Sequence, residues 1–432
     1  MNEKLFYLKC TFVGILTGII VITYRVLLDK INLWRKDFFQ NLKLDITFND
    51  MLGIVIFIIL SSCFLGYITK KYPMTRGGGV GFVKADVEDN IDFSSSNKVV
   101  LRDILYRLIG AVTALSSGLS FGIEGPAIEL GAETGQAIGN ASNSQEKEKK
   151  YLVTSGAAAG LSAAFNAPLT GMIFALEQIM NNISTPHIMA IFISTTIVSG
   201  MTYKVFGLRP FFDFQLLDVI RLQDYYVIVI FSLITTIMGK CYFKLASFFE
   251  NMNKRIKLPD IIKPIVPITI AIFVSYYFFY LTGEGYIIAN KIIFNDFSLS
   301  YLVVILVAKL IYFVYSSSTF IPGGSFVPLI SIGAILGKIY GLVIVKFFNF
   351  PNEYIICFIV LGMSLLMTSI FRAPITSVVL IVEITGATNL FYPLAIGTIF
   401  VMLFSSILKM NPLYDSALKK YIGSIHNLKR KD

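Results

Sequence analysis

The sequence predicts an all-α membrane protein with several spans, built from two duplicated halves whose helices are broken near the middle of the membrane. Three observations predict this fold class. The 432 residues are 55% hydrophobic and 15% charged, with a mean hydropathy of +0.71, whereas a soluble domain carries about 25% charged residues. Long apolar runs recur along the chain, and Gly and Pro interrupt several of them at matched positions. We expect one transmembrane domain over residues 1–432, with repeat halves near 1–206 and 207–420.

Apolar runs account for most of the chain. The predicted spans lie in the runs 5–28, 51–69, 100–121, 151–206, 225–248, 261–282, 299–349, 354–385 and 391–409. Several runs are broken into pieces shorter than the ~20 residues that a straight crossing needs. The breaks lie around Gly122, Pro126, Pro168, Pro322, Pro328 and Pro374. Backbone groups freed at a break cannot face lipid, so we expect half-helices that end inside the protein.

The charged residues lie in short polar gaps between the runs. Lys and Arg number 37 against 27 Asp and Glu, a formal charge of +10. Solvated membrane flanks explain this excess better than a nucleic-acid surface, because no basic patch is interleaved with aromatic residues. Basic residues follow the second span (70–84) and close the chain (429–431). We therefore expect a multi-pass protein of the cell membrane with both termini and the 70s loop in the cytoplasm, a surface loop over 84–99 and a short C-terminal tail.

The cysteines and histidines form no catalytic or metal-binding pattern. The four cysteines are scattered without a C-x-x-C pair, and His187 and His426 are isolated in sequence. An intramembrane enzyme would need a nucleophile with a base, or a metal-binding constellation such as H-E-x-x-H. The sequence therefore predicts no enzyme, no metal and no cofactor.

Two motifs each occur twice, in the same order. A G-x-x-x-P pattern at Gly122 recurs 202 residues later at Gly324, and each copy is followed by the same Gly-Ala spacing. An F-x-A-P-x-T pattern at Phe165 recurs 206 residues later at Phe371, with a glutamate nine residues after each proline. Duplicated halves with broken helices at corresponding positions indicate a transport site at the interface of the halves, near the bilayer midplane.

The two glycine-rich breaks, 118–126 (GLSFGIEGP) and 322–328 (PGGSFVP), each precede a predicted helix start. N–H groups at a helix start lack carbonyl partners and carry the positive end of the helix dipole, which attracts an anion without a full positive charge. Glu124 lies inside the first break, where a carboxylate costs about 2.5–3.5 kcal/mol or more. We expect it to compete with the anion and to leave when protonated, as a pH-sensitive gate. Glu129 and Glu133 are expected to be structural groups that face protein.

These motifs resemble those of the CLC family of chloride channels and proton-coupled chloride exchangers, over nearly the full chain and in the form without C-terminal CBS domains. The stretch 122–126 (GIEGP) is similar to the family signature G-[KR]-E-G-P, with Ile123 in place of the basic residue, and 324–328 (GSFVP) is similar to G-x-F-x-P. The stretches 156–168 and 411–414 (NPLY) also resemble family segments. The resemblance implies an inverted-repeat homodimer with one pore per subunit.

The resemblance also implies roles for individual residues. Glu124 is implied to be the gating glutamate, the N–H groups of Ser325 and Phe326 to hold the central anion, and the Tyr414 hydroxyl to donate to it. The implied anion-binding set is Gly78, Gly79, Ile123, Gly125, Ser325, Phe326, Val327 and Tyr414. The implied proton pathway comprises Glu124, Glu177 and Gln178.

Two positions depart from the family pattern. The family's G-S-G-I-P is here 77–81 (GGGVG), so Gly78 lacks the serine hydroxyl that contacts the anion, and the preference among anions stays open. Exchangers of the family carry two glutamates where this chain has Glu177 and Gln178, and an amide cannot take up and release a proton. The sequence thus predicts transport of chloride or another small anion, either with proton antiport or as an uncoupled channel. A carrier of an organic solute or of cations is less favoured, because the breaks are rich in amides rather than carboxylates.

Overall fold

The structure, a computed structural model, describes residues 3–72, 75–88, 96–180, 183–208, 210–212, 220–319 and 321–416. The helices of this part are α1 Glu3–Leu44, α2 Phe48–Lys71, α3 Val80–Val87, α4 Asn97–Ser116, α5 Glu124–Ala141, α6 Glu146–Phe165, α7 Pro168–Phe174, α8 Thr185–Phe206, α9 Tyr225–Arg255, α10 Ile265–Tyr277, α11 Tyr286–Phe294, α12 Leu299–Ser317, α13 Phe326–Phe348, α14 Tyr354–Phe371, α15 Pro374–Thr385 and α16 Phe391–Ile407. The basic C-terminal tail, His426 and residues 89–95 of the predicted loop lie outside the described residues.

Eight helices of the described residues are long and apolar enough to cross a membrane: α1, α2, α8, α9, α12, α13, α14 and α16. This confirms the predicted multi-pass membrane protein. Two other long helices, α5 and α6, lie inside the protein, with residues 151–165 of α6 all buried. Because α5 carries three glutamates, it was not among the predicted apolar runs, although most of its residues are buried. Protein rather than lipid surrounds those carboxylates.

Charged segments that the sequence analysis placed between spans extend helices instead. The predicted run 5–28 is only the first part of α1, which continues to Leu44. Its second part is held by Arg35, whose guanidinium donates to Leu115 O (3.1 Å) and to Thr282 Oγ1 (3.0 Å). The segment 146–150 forms the first turn of α6, where the negative charges of the glutamates interact favourably with the positive end of the helix dipole. Similarly, the basic residues near 253 end α9.

Glycines bring α5 against α6, and α13 against α14, at backbone contact distance. A Cβ atom at Gly131 would overlap the carbonyl of Gly156, and the reverse is also true. Gly333 and Gly362, the equivalent residues of the second half, make the same mutual contact. Small residues at helix interfaces allow this close approach in membranes. The glycines of the duplicated Gly-Ala motif therefore form the helix-packing interface of each half.

Reciprocal contacts relate the two halves by an approximate two-fold axis. The Gly122 and Gly324 backbones donate to each other's carbonyl oxygens, both at 2.9 Å. Glu177 accepts hydrogen bonds from the N–H (2.7 Å) and hydroxyl (2.6 Å) of Thr376 at the start of α15. Glu383 accepts the same two bonds, at 2.7 and 2.6 Å, from Thr170 at the start of α7. These mirrored pairs confirm the predicted inverted repeat with broken helices.

Candidate anion-binding site

The starts of α5 and α13 meet at the reciprocal bridge between Gly122 and Gly324. Ile123 and Ser325 occupy the N-cap positions, and neither side chain caps its helix. The first N–H groups of both helices are therefore left for other partners. Because the two starts converge, the positive ends of two helix dipoles act on the same small volume. A concentration of donors without a formal charge suits a small anion.

The carboxylate of Glu124 occupies this volume. Its side chain is 1% exposed, and its Oε1 accepts a hydrogen bond from the Phe326 N–H at 2.5 Å. The N–H groups of Ser325 and Val327 also face the carboxylate. A Cβ atom at Gly122 or at Gly324 would overlap the Glu124 carboxylate. The duplicated glycines thus leave room for a carboxylate, or an anion of similar size, between the two backbones.

The third glycine-rich break, 77–79, adjoins the same place. The Gly323 N–H donates to Gly77 O at 3.2 Å. A Cβ atom built at Gly125 would lie 3.0 Å from Gly78 O, so these two backbones are in close contact. Gly79 adopts a left-handed conformation with φ of +63° and caps α3. The structure therefore brings the two predicted glycine-rich breaks and the segment 77–79 together around Glu124.

Aromatic rings form an apolar wall beside the N–H groups. The Phe326 ring lies 4.5 Å from the ring of Phe371 and stacks on Phe165, the residue equivalent to Phe371 in the first half. Tyr414 is 8% exposed, stacks on Phe371 at 5.1 Å, and interacts electrostatically with Glu124. Ile123 and Val327 are also buried, at 4% and 1% exposure. An apolar wall excludes water and so strengthens the interaction of N–H dipoles with a charge.

The two residues of the predicted inner proton site differ in their surroundings. Both lie on a π-helical turn, Ala175–Ile179, that extends α7. Glu177 is engaged by the start of α15, as described above, so its carboxylate has a structural partner in the other half. Gln178 is half-buried on the same turn. The structure therefore places the Glu177 carboxylate at the contact between the first half and the start of α15 in the second half.

Sequence reasoning missed a buried cation in each half. Arg107 of α4 pairs with Glu129 and, at 3.0 Å, with Glu133. Lys309 of α12 is 0% exposed, and its Nζ donates to Ser120 Oγ at 2.9 Å and to a backbone carbonyl at 2.8 Å. The two cations are 202 residues apart, the offset already found between the two breaks. Extending the repeat by 15 residues toward the N-terminus, from Gly122 to Arg107 and from Gly324 to Lys309, would have found them.

Comparison with known proteins was made against family models and solved structures. Residues 60–406 match the family model described as voltage gated chloride channel. A slow cyanobacterial Cl−/H+ antiporter is similar in fold, with a TM-score of 0.89 at 20% identity, covering 97% of this chain and 98% of that chain. A CLC-type fluoride/proton antiporter gives 0.74 at 21% identity, covering 93% and 98%. A eukaryotic CLC transporter gives 0.78 at 19% identity, covering 97% of this chain and 74% of that one.

Proposed function

The chain belongs to the voltage-gated chloride channel family, and from that premise we propose that it exchanges chloride or a similar small inorganic anion for protons, through a pore gated by Glu124. The family model covers most of the chain, which confirms the prediction of anion transport. The observation that supports the gate is the hydrogen bond from the Phe326 N–H to the Glu124 carboxylate at the meeting point of two helix starts. The side chain occupies a cradle of N–H groups that suits the transported anion.

The mechanism follows from competition for one set of donors. While Glu124 is ionised, its carboxylate fills the volume between Gly122 and Gly324, and a second anion would meet both the side chain and its charge. A proton removes that charge and weakens the bond to the Phe326 N–H. An incoming anion then takes the donors, and the neutral side chain moves aside. Each change of occupant is thus tied to one proton, which is the requirement for exchange.

The remaining site residues have roles that follow from their positions. We assign the central anion to the N–H groups of Ser325, Phe326 and Val327, with the Tyr414 hydroxyl as a further donor. On the opposite helix start, we assign the second anion position to the N–H groups of Ile123 and Gly125. The third break supplies the backbone of Gly78 and Gly79. The chemistry of all these groups is donation of hydrogen bonds without formal charge, so an anion can be both bound and released.

Exchange is preferred to an uncoupled channel because a titratable group competes with the anion for its donors. The Glu124 carboxylate is 1% exposed and accepts a hydrogen bond from the Phe326 N–H, a donor that we assign to the anion. Two of the similar folds are described as antiporters that use protons. The observation that favours a channel is Gln178, which carries no titratable group at the position where exchangers of the family carry a glutamate.

The arrangement in the membrane is also a proposal. We propose a single domain of two inverted halves, near 1–206 and 207–420, with both termini in the cytoplasm. Lys70, Lys71, Arg76 and Lys84 support this orientation. The resemblance to the CLC family supports a homodimer in the lipid bilayer with one pore in each subunit. Cross-linking in liposomes tests the homodimer. Labelling of single cysteines introduced into the 70s loop, from either side of the membrane, tests the orientation.

The deciding experiment is reconstitution into liposomes with a chloride gradient and a pH probe. We expect chloride flowing down its gradient to drive protons uphill. Glu124→Gln should give chloride flux without uphill proton movement, and the flux should change less than twofold between pH 5 and pH 8. The amide has the shape of the protonated carboxyl but cannot ionise. Chloride flux without proton movement in the unmodified protein contradicts exchange. If the chloride flux of Glu124→Gln depends on pH as strongly as that of the unmodified protein, Glu124 is not the gate.

A further inference from the structure

A buried cluster of charged side chains lies behind Gly79. Arg107 and Glu129 are each 2% exposed and form an ion pair, and the Arg107 guanidinium also donates to Glu133 Oε1 at 3.0 Å. A Cβ atom at Gly79 would overlap the Glu129 carboxylate. Glu129 therefore lies directly against the third break of the anion site, on the same helix as Glu124.

The charges of this cluster do not balance. Two carboxylates and one guanidinium leave one negative charge in the interior. Among the described residues that line the space beside the cluster, the other charged groups are the carboxylates Asp86 of α3 and Asp103 of α4, while α6 contributes the apolar Val153. Arg102 pairs with Asp103 at 3.0 Å, and Lys84 of α3 pairs with Asp415 at 2.6 Å. An uncompensated buried charge is costly, and one proton removes it.

The atom that would take this proton is available. Glu129 Oε1 is buried and has no hydrogen-bond partner among the described residues. The other oxygen, Oε2, forms the ion pair with Arg107. Glu129 can therefore accept a proton on one oxygen while the other keeps Arg107 in place. The same holds for Glu133, whose Oε1 binds Arg107 and whose Oε2 has no hydrogen-bond partner in the described part of the chain.

A cavity adjoins the cluster. It is partly open, has a volume of about 40 Å³, and is lined by Glu129 and Glu133, by Arg107, and by Asp86 and Asp103. This volume is enough for about one water molecule, and the lining offers polar partners to it. A water molecule in the cavity would lie beside both carboxylates and can exchange a proton with them.

Tyr24 belongs to α1, which packs against α5. Its side chain is 0% exposed, and its hydroxyl has no hydrogen-bond partner among the described residues. The carboxylates that act on it electrostatically are those of Glu284, Glu124 and Glu129. Glu124 and Glu129 are separated by five residues of α5, which is a rise of about 7.5 Å along the helix. A hydroxyl both donates and accepts, so Tyr24 can hand a proton from one carboxylate to the other.

We propose that the Glu129–Arg107–Glu133 cluster is the inner proton-accepting site of this transporter and that it replaces the missing carboxyl at Gln178. A proton enters through the cavity, binds one oxygen of the carboxylate pair, and passes by way of the Tyr24 hydroxyl to Glu124. Arg107 holds the two carboxylates together. Because of its positive charge, the net charge of the cluster changes only between −1 and 0 when the proton binds and leaves. This proposal rests on the proposed exchange of anions for protons and identifies the residues that carry the protons.

The test uses the full-length protein in liposomes with simultaneous chloride and pH readouts. Glu129→Gln and Glu133→Gln each leave one carboxylate with Arg107, so the cluster becomes neutral without a proton. We expect the ratio of protons to chloride to fall at least tenfold in either variant while chloride flux remains measurable. Ser331→Ala is the matched control, because Ser331 is the residue equivalent to Glu129 in the second half. We expect this control to keep the ratio of the unmodified protein.

The outcomes separate this proposal from the proposed exchange. If the unmodified protein drives no protons, the exchange fails, and the proton route fails with it. If the unmodified protein drives protons and both glutamine variants keep its ratio, only the proton route is wrong. Loss of chloride and proton flux together, in variants that elute like the unmodified protein, would mean that the cluster only supports the fold. If Glu129→Gln does not fold, Glu133→Gln decides.

Discussion

The start of α3 and the start of α11 are equivalent regions that the approximate two-fold axis places toward opposite faces of the membrane. Gly79 and Gly285 are 206 residues apart, cap the two helices, and have positive φ values of 63° and 90°. Behind Gly79 lies Glu129, the partner of Arg107. Behind Gly285 lie Ser331 and Lys309. Both halves therefore keep a left-handed glycine with a buried cation nearby, and this shared pattern belongs to the fold.

The acidic residues differ between these two regions. The positions equivalent to Glu129 and Glu133 are Ser331 and Ile335, which carry no charge. Conversely, the residue equivalent to Gly78 is Glu284, which interacts electrostatically with Lys309. The α3 side thus holds one cation with two carboxylates, and the α11 side holds one cation with one carboxylate. The two regions thus share a backbone conformation and a buried cation, and only the α3 side holds more carboxylates than cations.

The largest expected effect tests whether the two cations differ as their partners do. Arg107→Met leaves two carboxylates buried without their cation, and removing one partner of a buried ion pair costs about 3–5 kcal/mol. Lys309→Met leaves one carboxylate, that of Glu284, without its cation, and leaves the Ser120 hydroxyl and a backbone carbonyl without a donor, so its cost should lie below that of Arg107→Met. Thermal unfolding in detergent should therefore show the greater loss for Arg107→Met. Equal losses of stability in the two variants would mean that a group other than Arg107 compensates the second carboxylate of the Glu129–Glu133 pair.

Glu177 and Glu383 provide the opposite case, in which the halves are matched. Each carboxylate accepts an N–H and a hydroxyl from the helix start of the other half. Glu177→Gln and Glu383→Gln keep one acceptor oxygen and lose the charge that favours the helix start, so each should cost about 0.5–2 kcal/mol. The two losses, measured by the same unfolding assay, should be similar, because each carboxylate makes the same two contacts with the other half. A much larger loss for one of them would show that the repeat is not equivalent here.

The sequence predicts the features that depend on local patterns. Hydropathy gives the spans, glycine and proline give the breaks, and the spacing of motifs gives the repeat and Glu124. Each of these features can be recognised in a short stretch of residues, or by comparing two such stretches with each other. The resemblance to the CLC family implied a place for Glu177 in the proton pathway, but the sequence did not predict its hydrogen bonds to Thr376, which lies 199 residues away. A contact of that kind depends on how α7 and α15 pack, which no local pattern contains.

The charged cluster behind Gly79 shows the same limit. Arg107 is 22 residues from Glu129, in a different helix, and its hydropathy resembles that of any residue at a membrane flank. Only the close packing of α3, α4 and α5 reveals that the guanidinium is buried with both carboxylates. The course of α1 beyond residue 28 was missed for a similar reason: Arg35 there is charged, yet it is 3% exposed because it binds groups of other elements.

The smallest expected effect concerns Gly78, where the comparison with Glu284 can be sharpened by one added hydroxyl. A Cβ atom at Gly78 would make only an ordinary contact, 3.4 Å from Gly323 O, and its φ is not positive, so Gly78→Ser should fold normally. The serine hydroxyl would add one donor beside the anion, worth about 0.5–1.5 kcal/mol, or up to roughly tenfold in preference between chloride and nitrate. Competition of nitrate with chloride efflux from liposomes measures this ratio, with Gly78→Ala as the control for the added side chain. If Gly78→Ser and Gly78→Ala give the same ratio, the hydroxyl does not reach the anion, and selectivity must come from the backbone donors that both halves share.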